Sequence, residues 1–408
     1  LSLLSSLPGA ARTPPQLSTL VILTGTGVMA MNVMLPVLPA MARDLQVSDA
    51  AIQLVLTVFL FATGVVQLII GPLADRFGRR PVLLTTTTIY LGATTLAWLA
   101  PTLEWLLVAR VIQATSAASM TLSRAIIRDL FDRAKAASMI GYVTMAMAII
   151  PMVSPSIGGL LGEWYGWRST FLFLDLIGIM VVLLVWFDLG ETHTPTGISV
   201  SQLAHDYVAL LKEPGFWAYV MCASLASGAY FAFLGGAPFV GDQIIGMTPS
   251  MLGLYFGFVA IGYMAGNFLS GRYSQRVGIE QMMAAGGITA AVGVGIALAL
   301  MSSFEPQAEF LFIPMALVGV GNGLTLPNST AGALSVRPDL AGSASGIAGF
   351  VQIGMGAVLA TLSGTLITVE NQAMPLYLLM FASSVAGALI AFAMYRRVRR
   401  FGPVSAQS

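Results

Sequence analysis

Arg110 and Asp175 are ionisable side chains set inside long apolar runs of this 408-residue chain. Arg110 lies about six residues into its run, roughly 9 Å at helical rise. A charge at a bilayer centre costs about 2.5–3.5 kcal/mol on insertion scales. Arg110 must therefore face a watery cavity and find an acceptor, or snorkel to the interface. Asp175 is the one clearly intramembrane acid. A carboxyl there either carries protons or is buried and locally hydrogen-bonded. A third constellation is the stretch Gly71-Pro72-Leu73-Ala74-Asp75-Arg76-Phe77-Gly78-Arg79-Arg80-Pro81, the densest charge cluster in the first half. Read as a loop between two apolar helices, it places Asp75 to cap the positive end of a neighbouring helix. It also places Arg79 or Arg80 to pair with Asp129. Gly271, Arg276 and Gly278 repeat Gly71, Arg76 and Gly78 at a constant offset, the mark of a duplicated membrane protein.

The elements that must carry these residues follow from composition. Hydrophobic residues make up 57% of the chain and charged residues 9%, against about 25% charged in a soluble domain. A soluble fold is excluded, and nucleic acid is not a partner because no basic face exists. Cys222 stands alone in an apolar run and reads as an inert buried thiol. No Cys/His metal spacing is present, and no cofactor is implied. The intramembrane runs lack the His and the carboxylate pair that a membrane enzyme would need.

A bilayer core takes about 20 apolar residues per helix. Such runs number twelve, near 17–41, 50–71, 81–100, 104–128, 136–161, 168–188, 216–240, 250–270, 281–302, 309–333, 342–368 and 374–395. The expected fold is an all-α membrane protein, twelve transmembrane helices in two pseudo-symmetric six-helix bundles. Residues 1–16 read as a disordered tail, 17–188 as the first bundle and 189–215 as a linker. The second bundle takes 216–396 and a tail 397–408. Within the linker, Val200, Leu203, Tyr207, Leu210 and Leu211 recur at helical spacing, so a short surface helix is plausible there. His193 and His205 are then solvated. Lys and Arg crowd the loops on one side and both tails, while the opposite loops hold Arg43 and Arg168 among six acids. Both termini are therefore expected in the cytoplasm.

Twelve helices with Gly71-x3-Asp75-Arg76-x-Gly78-Arg79-Arg80 after the second resemble the major facilitator superfamily. Leu35-Pro36-Val37-Leu38-Pro39, Arg110 with Gln113, Arg128-Asp129, Pro151-x3-Pro155-x2-Gly158-Gly159 and Ala341 to Gly346 narrow the resemblance. They look like the drug:proton antiporters of the bicyclomycin/chloramphenicol-resistance (Bcr/CflA) group. The resemblance implies efflux by alternating access, coupled to protons through Arg110 and an acid on the first helix. That acid is absent: the position holds Asn32, which has the shape of a protonated aspartic acid and cannot titrate. One locked state, coupling through another acid such as Asp175, uniport, and a purely structural asparagine all remain open. The resemblance also implies a latch of Gly71, Asp75, Arg76, Gly78, Arg79, Arg80 and Asp129, with Asp75 meeting the eleventh helix when the cytoplasmic ends close. Pro151, Pro155, Gly158 and Gly159 match the antiporter pattern of the fifth helix and allow bending and close packing.

The resemblance implies a cavity lined by helices 1, 4, 7 and 10, with 2, 5, 8 and 11 beside them. Met31, Asn32, Gln113, Met147, Tyr230, Phe233 and Gln352 are the expected substrate contacts, with Asn322, Phe231, Tyr255 and Phe258 as further candidates. So few charges suit neutral or amphipathic compounds, and methionine and aromatic surfaces repack around different shapes. The expected partners are a small drug or metabolite, protons and the lipid of a bacterial inner membrane. One chain supplies a complete cavity, so a monomer is expected.

Overall fold

A computed structural model describes residues 15–131, 133–192, 200–368, 371 and 373–401. Of the predicted tails 1–16 and 397–408, residues 1–14 and 402–408 lie outside the described residues, as does His193, while 397–401 continues the last helix. The described chain is helical, with no strand. The first half holds α1 (Leu17–Asp44), α2 (Asp49–Phe77), α3 (Arg79–Leu99), α4 (Leu103–Leu130), α5 (Arg133–Tyr165) and α6 (Arg168–Phe187). The second holds α7 (Pro214–Ile245), α8 (Pro249–Val277), α9 (Ile279–Ser303), α10 (Ala308–Val336), α11 (Ala341–Leu366) and α12 (Met374–Arg400). Eleven of these are long and apolar enough to cross a membrane among the described residues. The remaining one, α5, is a 33-residue helix that runs unbroken through Pro151 and Pro155. Between the halves lies a linker helix, Val200–Leu211, at the spacing the apolar residues predict. It carries His205 on its exposed side.

Helices are the solution that an apolar chain without water allows, because every backbone group is paired within its own segment. Local chemistry sets their ends. Ser48 accepts from the Ala51 N–H (3.2 Å) to start α2, and Thr248 accepts from Met251 (3.3 Å) to start α8.

The expected basic loop is the main correction. The helix of α2 continues to Phe77, and α3 starts at Arg79. The turn is Gly78 alone, at φ 94°, with its N–H on the Ala74 carbonyl at 2.9 Å. Pro72 should have stopped the helix, since it has no N–H for the Leu68 carbonyl. That carbonyl instead accepts from the Tyr207 hydroxyl of the linker helix at 2.9 Å. A donor from elsewhere in the chain satisfies the orphaned acceptor, so the helix persists. In the second half α8 likewise runs to Val277 and turns at Gly278, φ 101°.

The halves meet along α2–α11, α5–α8 and α1–α7. Thr57 and Thr361 share a 2.7 Å hydrogen bond, and Gln53 Nε2 donates to the Ala360 carbonyl at 3.3 Å. A methyl on Gly253 would collide with the Pro155 carbonyl, one on Gly159 with Pro249, and one on Gly158 with Val33. The glycines of α5 therefore bring it against α1 of its own half and α8 of the other. One end of the assembly is shut. Arg43 pairs with Asp242 at 2.6 Å, Glu163 accepts from the Ser250 N–H at 3.3 Å, and Ser156 donates to Gly253 at 3.1 Å. At the opposite, basic end the α-carbons of Gly71, Gly271 and Gly342 face open space.

Candidate functional site

Arg110 is fully buried in the first half, and three helices hold it. Its Nη1 donates to the Ala30 carbonyl of α1 (3.1 Å) and to Gln113 Oε1 (2.7 Å). Its Nε donates to the Val55 carbonyl of α2 (3.1 Å). The guanidinium stacks 4.0 Å from the centre of the Phe59 ring. Hydrogen bonds to a charged group contribute about 1.5–3 kcal/mol each, and a desolvated cation–π contact about 2 kcal/mol. Gln113 passes the network on, its Nε2 donating to Thr94 of α3 at 2.8 Å. On the next residue of α3, Thr95 donates to Asp175 Oδ1 of α6 at 3.1 Å. Asn32 is fully buried beside this network, its Nδ2 on the Val28 carbonyl at 2.8 Å and its Oδ1 without a protein partner.

A cavity of about 310 Å³ opens between the halves. Met31, Phe59, Tyr230 and Phe231 supply apolar wall, and Thr63, Asn322 and Gln352 supply polar points. Pro151 reaches the wall, whereas Pro155 lies against Gly253. Of the residues expected to touch substrate, Met31, Tyr230 and Gln352 line this space. Asn32 and Gln113 do not: both are 0% exposed and turned into the helix packing. Phe233 is also displaced from the wall. It sits in an aromatic cluster with Phe256 (5.3 Å) and Phe312 (5.6 Å), where ring stacking outweighs exposure to a cavity. Tyr255 and Phe258 belong to the same packing rather than to the lining. The Met147 side chain lies outside the described residues. Arg110 is 0% exposed and takes the Ala30 and Val55 carbonyls and the Gln113 side chain as acceptors, rather than facing the cavity.

Sequence reasoning missed Arg124, the one cation on the cavity wall among the described residues. It stands 14 positions after Arg110, close to four turns of 3.6 residues, and so on the same face of α4. Ser116, Ala117 and Met120 mark that face toward the cavity. The periodicity was the available signal.

At the basic end, Arg79 Nη1 meets Asp75 at 2.6 Å and its Nε meets Asp129 at 3.1 Å. Asp75 is thus engaged within its own half. Arg76 leans on the Phe77 ring and otherwise faces out. Glu191, just past α6, was also missed. Its carboxylate accepts from the backbone N–H groups of Arg79 (2.9 Å) and Arg80 (3.2 Å), capping the positive end of α3. Arg80 Nη2 donates to the Trp186 carbonyl at 3.0 Å.

The Major Facilitator Superfamily profile matches residues 20–361. The chain belongs to the major facilitator superfamily. It is a membrane transporter of that superfamily, not an enzyme. It is 32% identical to the chloramphenicol resistance protein of Pseudomonas aeruginosa, over 88% of this chain and 86% of that one. It is 28% identical to the bicyclomycin resistance protein homolog of Haemophilus influenzae, over 85% and 89% of the two chains. Among solved structures of the superfamily fold, it superposes on a bacterial homolog of the human lysosomal transporter Spinster, inward-facing and occupied, with a TM-score of 0.73. That pair is 18% identical, and the match covers 93% of this chain and 96% of the other.

Proposed function

We propose that this chain exports small neutral or amphipathic drugs, of the chloramphenicol and bicyclomycin kind, across a bacterial inner membrane. The carrying observation is the cavity between the halves, largely apolar with a few convergent polar groups, as drug-sized sites are. The two named resistance relatives support the class of cargo. Transport proceeds by rocking the halves about the cavity. Both termini lie in the cytoplasm, as the Lys and Arg bias supports, so the cavity opens inward and the shut end faces out. One chain encloses the whole cavity, which supports a monomer.

Proton antiport is the expected drive. Asn32 cannot titrate, so the proton is assigned to Asp175, whose partner Thr95 adjoins Thr94, the acceptor of the Gln113 that binds Arg110. On closure of the basic end, Asp75 leaves Arg79 for the start of α11, completing the latch of Gly71, Asp75, Arg76, Gly78, Arg79, Arg80 and Asp129. The alternative is carriage of one native metabolite with altered or absent coupling, which Asn32 favours.

Chloramphenicol uptake into inside-out proteoliposomes under an imposed pH gradient tests the proposal. The chain should respond to the gradient, Asp175→Asn should lose the response, and Asn32→Asp should keep or steepen it. A response only in Asn32→Asp would assign the proton to that position and defeat the role of Asp175. No chloramphenicol movement in any form, with one unrelated metabolite carried tightly, would establish the alternative.

A further inference from the structure

The cavity has a charge asymmetry that the efflux reading does not use. Among the described residues that line it, Arg124 carries a full charge and none is a carboxylate. Arg124 is solvent-accessible through the cavity. No described side chain forms an ion pair or hydrogen bond with it. The acid nearest in sequence, Asp129, is held by Arg79. Arg128, one turn further toward the basic end, adds a second positive charge beyond the wall. Tyr263 and Tyr230 line the same cavity as neutral phenols, and Arg110 is sealed behind α1 and α2.

A cation inside a mostly apolar chamber, with no counter-ion among the described lining residues, is poorly screened. Its attraction to an entering anion is several-fold stronger than on an open surface. The same field opposes an entering cation. Opposite Arg124 the walls supply Phe59, Leu60, Met31 and Phe231 for an apolar body. Thr63, Asn322 and Gln352 add polar residues to the same lining.

We propose that the cavity is a site for amphipathic organic anions, with Arg124 holding the carboxylate or equivalent acidic group and the aromatic wall holding the body. This rests on the export reading and names the class of cargo within it. Neutral amphiphiles enter the same chamber less tightly, and organic cations are rejected.

The test is binding to the purified full chain in neutral detergent, read by thermal stabilisation. The probes are phenylbutyrate, phenylbutanol and phenylbutylamine, which share a body and differ in charge, with chloramphenicol as a fourth. Phenylbutyrate should bind about tenfold more tightly than the alcohol, as a charge-assisted pair exceeds a neutral contact, and the amine should bind least. In Arg124→Gln the acid and the alcohol should come within about twofold, with alcohol binding unchanged, while Arg124→Lys keeps most of the preference. Equal binding of acid and alcohol by the unaltered chain overturns the proposal even where the variant does not fold. So does a preference that survives Arg124→Gln. Chloramphenicol binding without any phenyl probe overturns it while leaving the export reading intact. Silence from all four probes counts against both.

Discussion

The turns at Gly78 and Gly278 have nearly the same backbone in very different surroundings. Their φ and ψ are 94° and 154° in the first and 101° and 149° in the second. Each ends its helix with an N–H on the carbonyl four residues back, at 2.9 Å. Around Gly78 the chain gathers Asp75, Arg79, Asp129 and Glu191, and a methyl group there would strike the Glu191 carboxylate. Around Gly278 the positions matching Asp75 and Arg79 are Gln275 and Ile279, and a methyl would meet nothing within 4 Å. Glu280 turns away to accept from Tyr219 at 2.7 Å. Both turns hold a glycine, because only glycine tolerates this backbone region. The charges are not repeated; they tie the ends of α2, α3, α4 and α6 together in the first half alone.

The largest expected effect separates the two glycines. Gly78→Ala should cost about 1–3 kcal/mol from backbone strain and more from displacing Glu191. Gly278→Ala should cost the strain alone. Thermal unfolding in detergent measures the gap, and equal midpoints would mean that the surroundings of Gly78 contribute nothing. Arg79→Gln comes next. It leaves Asp75 and Asp129 facing each other without the shared cation, at about 1–3 kcal/mol, whereas Ile279→Gln disturbs no ion pair. Coupling between Arg79→Gln and Asp129→Asn in a double-mutant cycle should be about 1 kcal/mol.

A smaller effect tests the odd member of the pair, Pro72, whose counterpart is Arg272 with an ordinary N–H. Tyr207→Phe should cost about 1 kcal/mol by stranding the Leu68 carbonyl. In a Pro72→Ala background the same change should cost almost nothing, because the helix then supplies its own donor. Least of all, Glu191→Gln should cost about 0.5–1 kcal/mol, since a neutral amide still caps α3 but no longer complements its dipole. Hydrogen exchange at the Arg79 and Arg80 amides would show the loosening.

These particulars mark how far the sequence could be read. Apolar runs and basic loops located the helices, and the repeat of Gly71 and Gly78 at Gly271 and Gly278 located both turns. The length of the first turn was not legible, because Pro72 and the glycines read as a loop until Tyr207 is known to reach Leu68. Local sequence cannot show a donor supplied from the linker. The same limit explains the site. Met31, Tyr230 and Gln352 line the cavity, but Phe233 meets Phe256 and Phe312, and only the packing reveals that. Arg110 stood out as a charge in an apolar run. Arg124, nearer the basic end of α4 and close to Arg128 and Asp129, did not stand out in the same way.

Arg110 has a mechanical meaning as well as an electrical one. Its bonds end on backbone carbonyls of α1 and α2, and its own α4 carries the third attachment. Backbone carbonyls cannot change rotamer, so sliding any of the three helices against the others breaks a bond to a buried cation. The guanidinium acts as a cross-brace that locks their relative positions. In the proposed rocking motion α1, α2 and α4 then move as one piece, and the contacts that part to open the shut end are those between the halves, Arg43–Asp242 and the α5–α8 glycines.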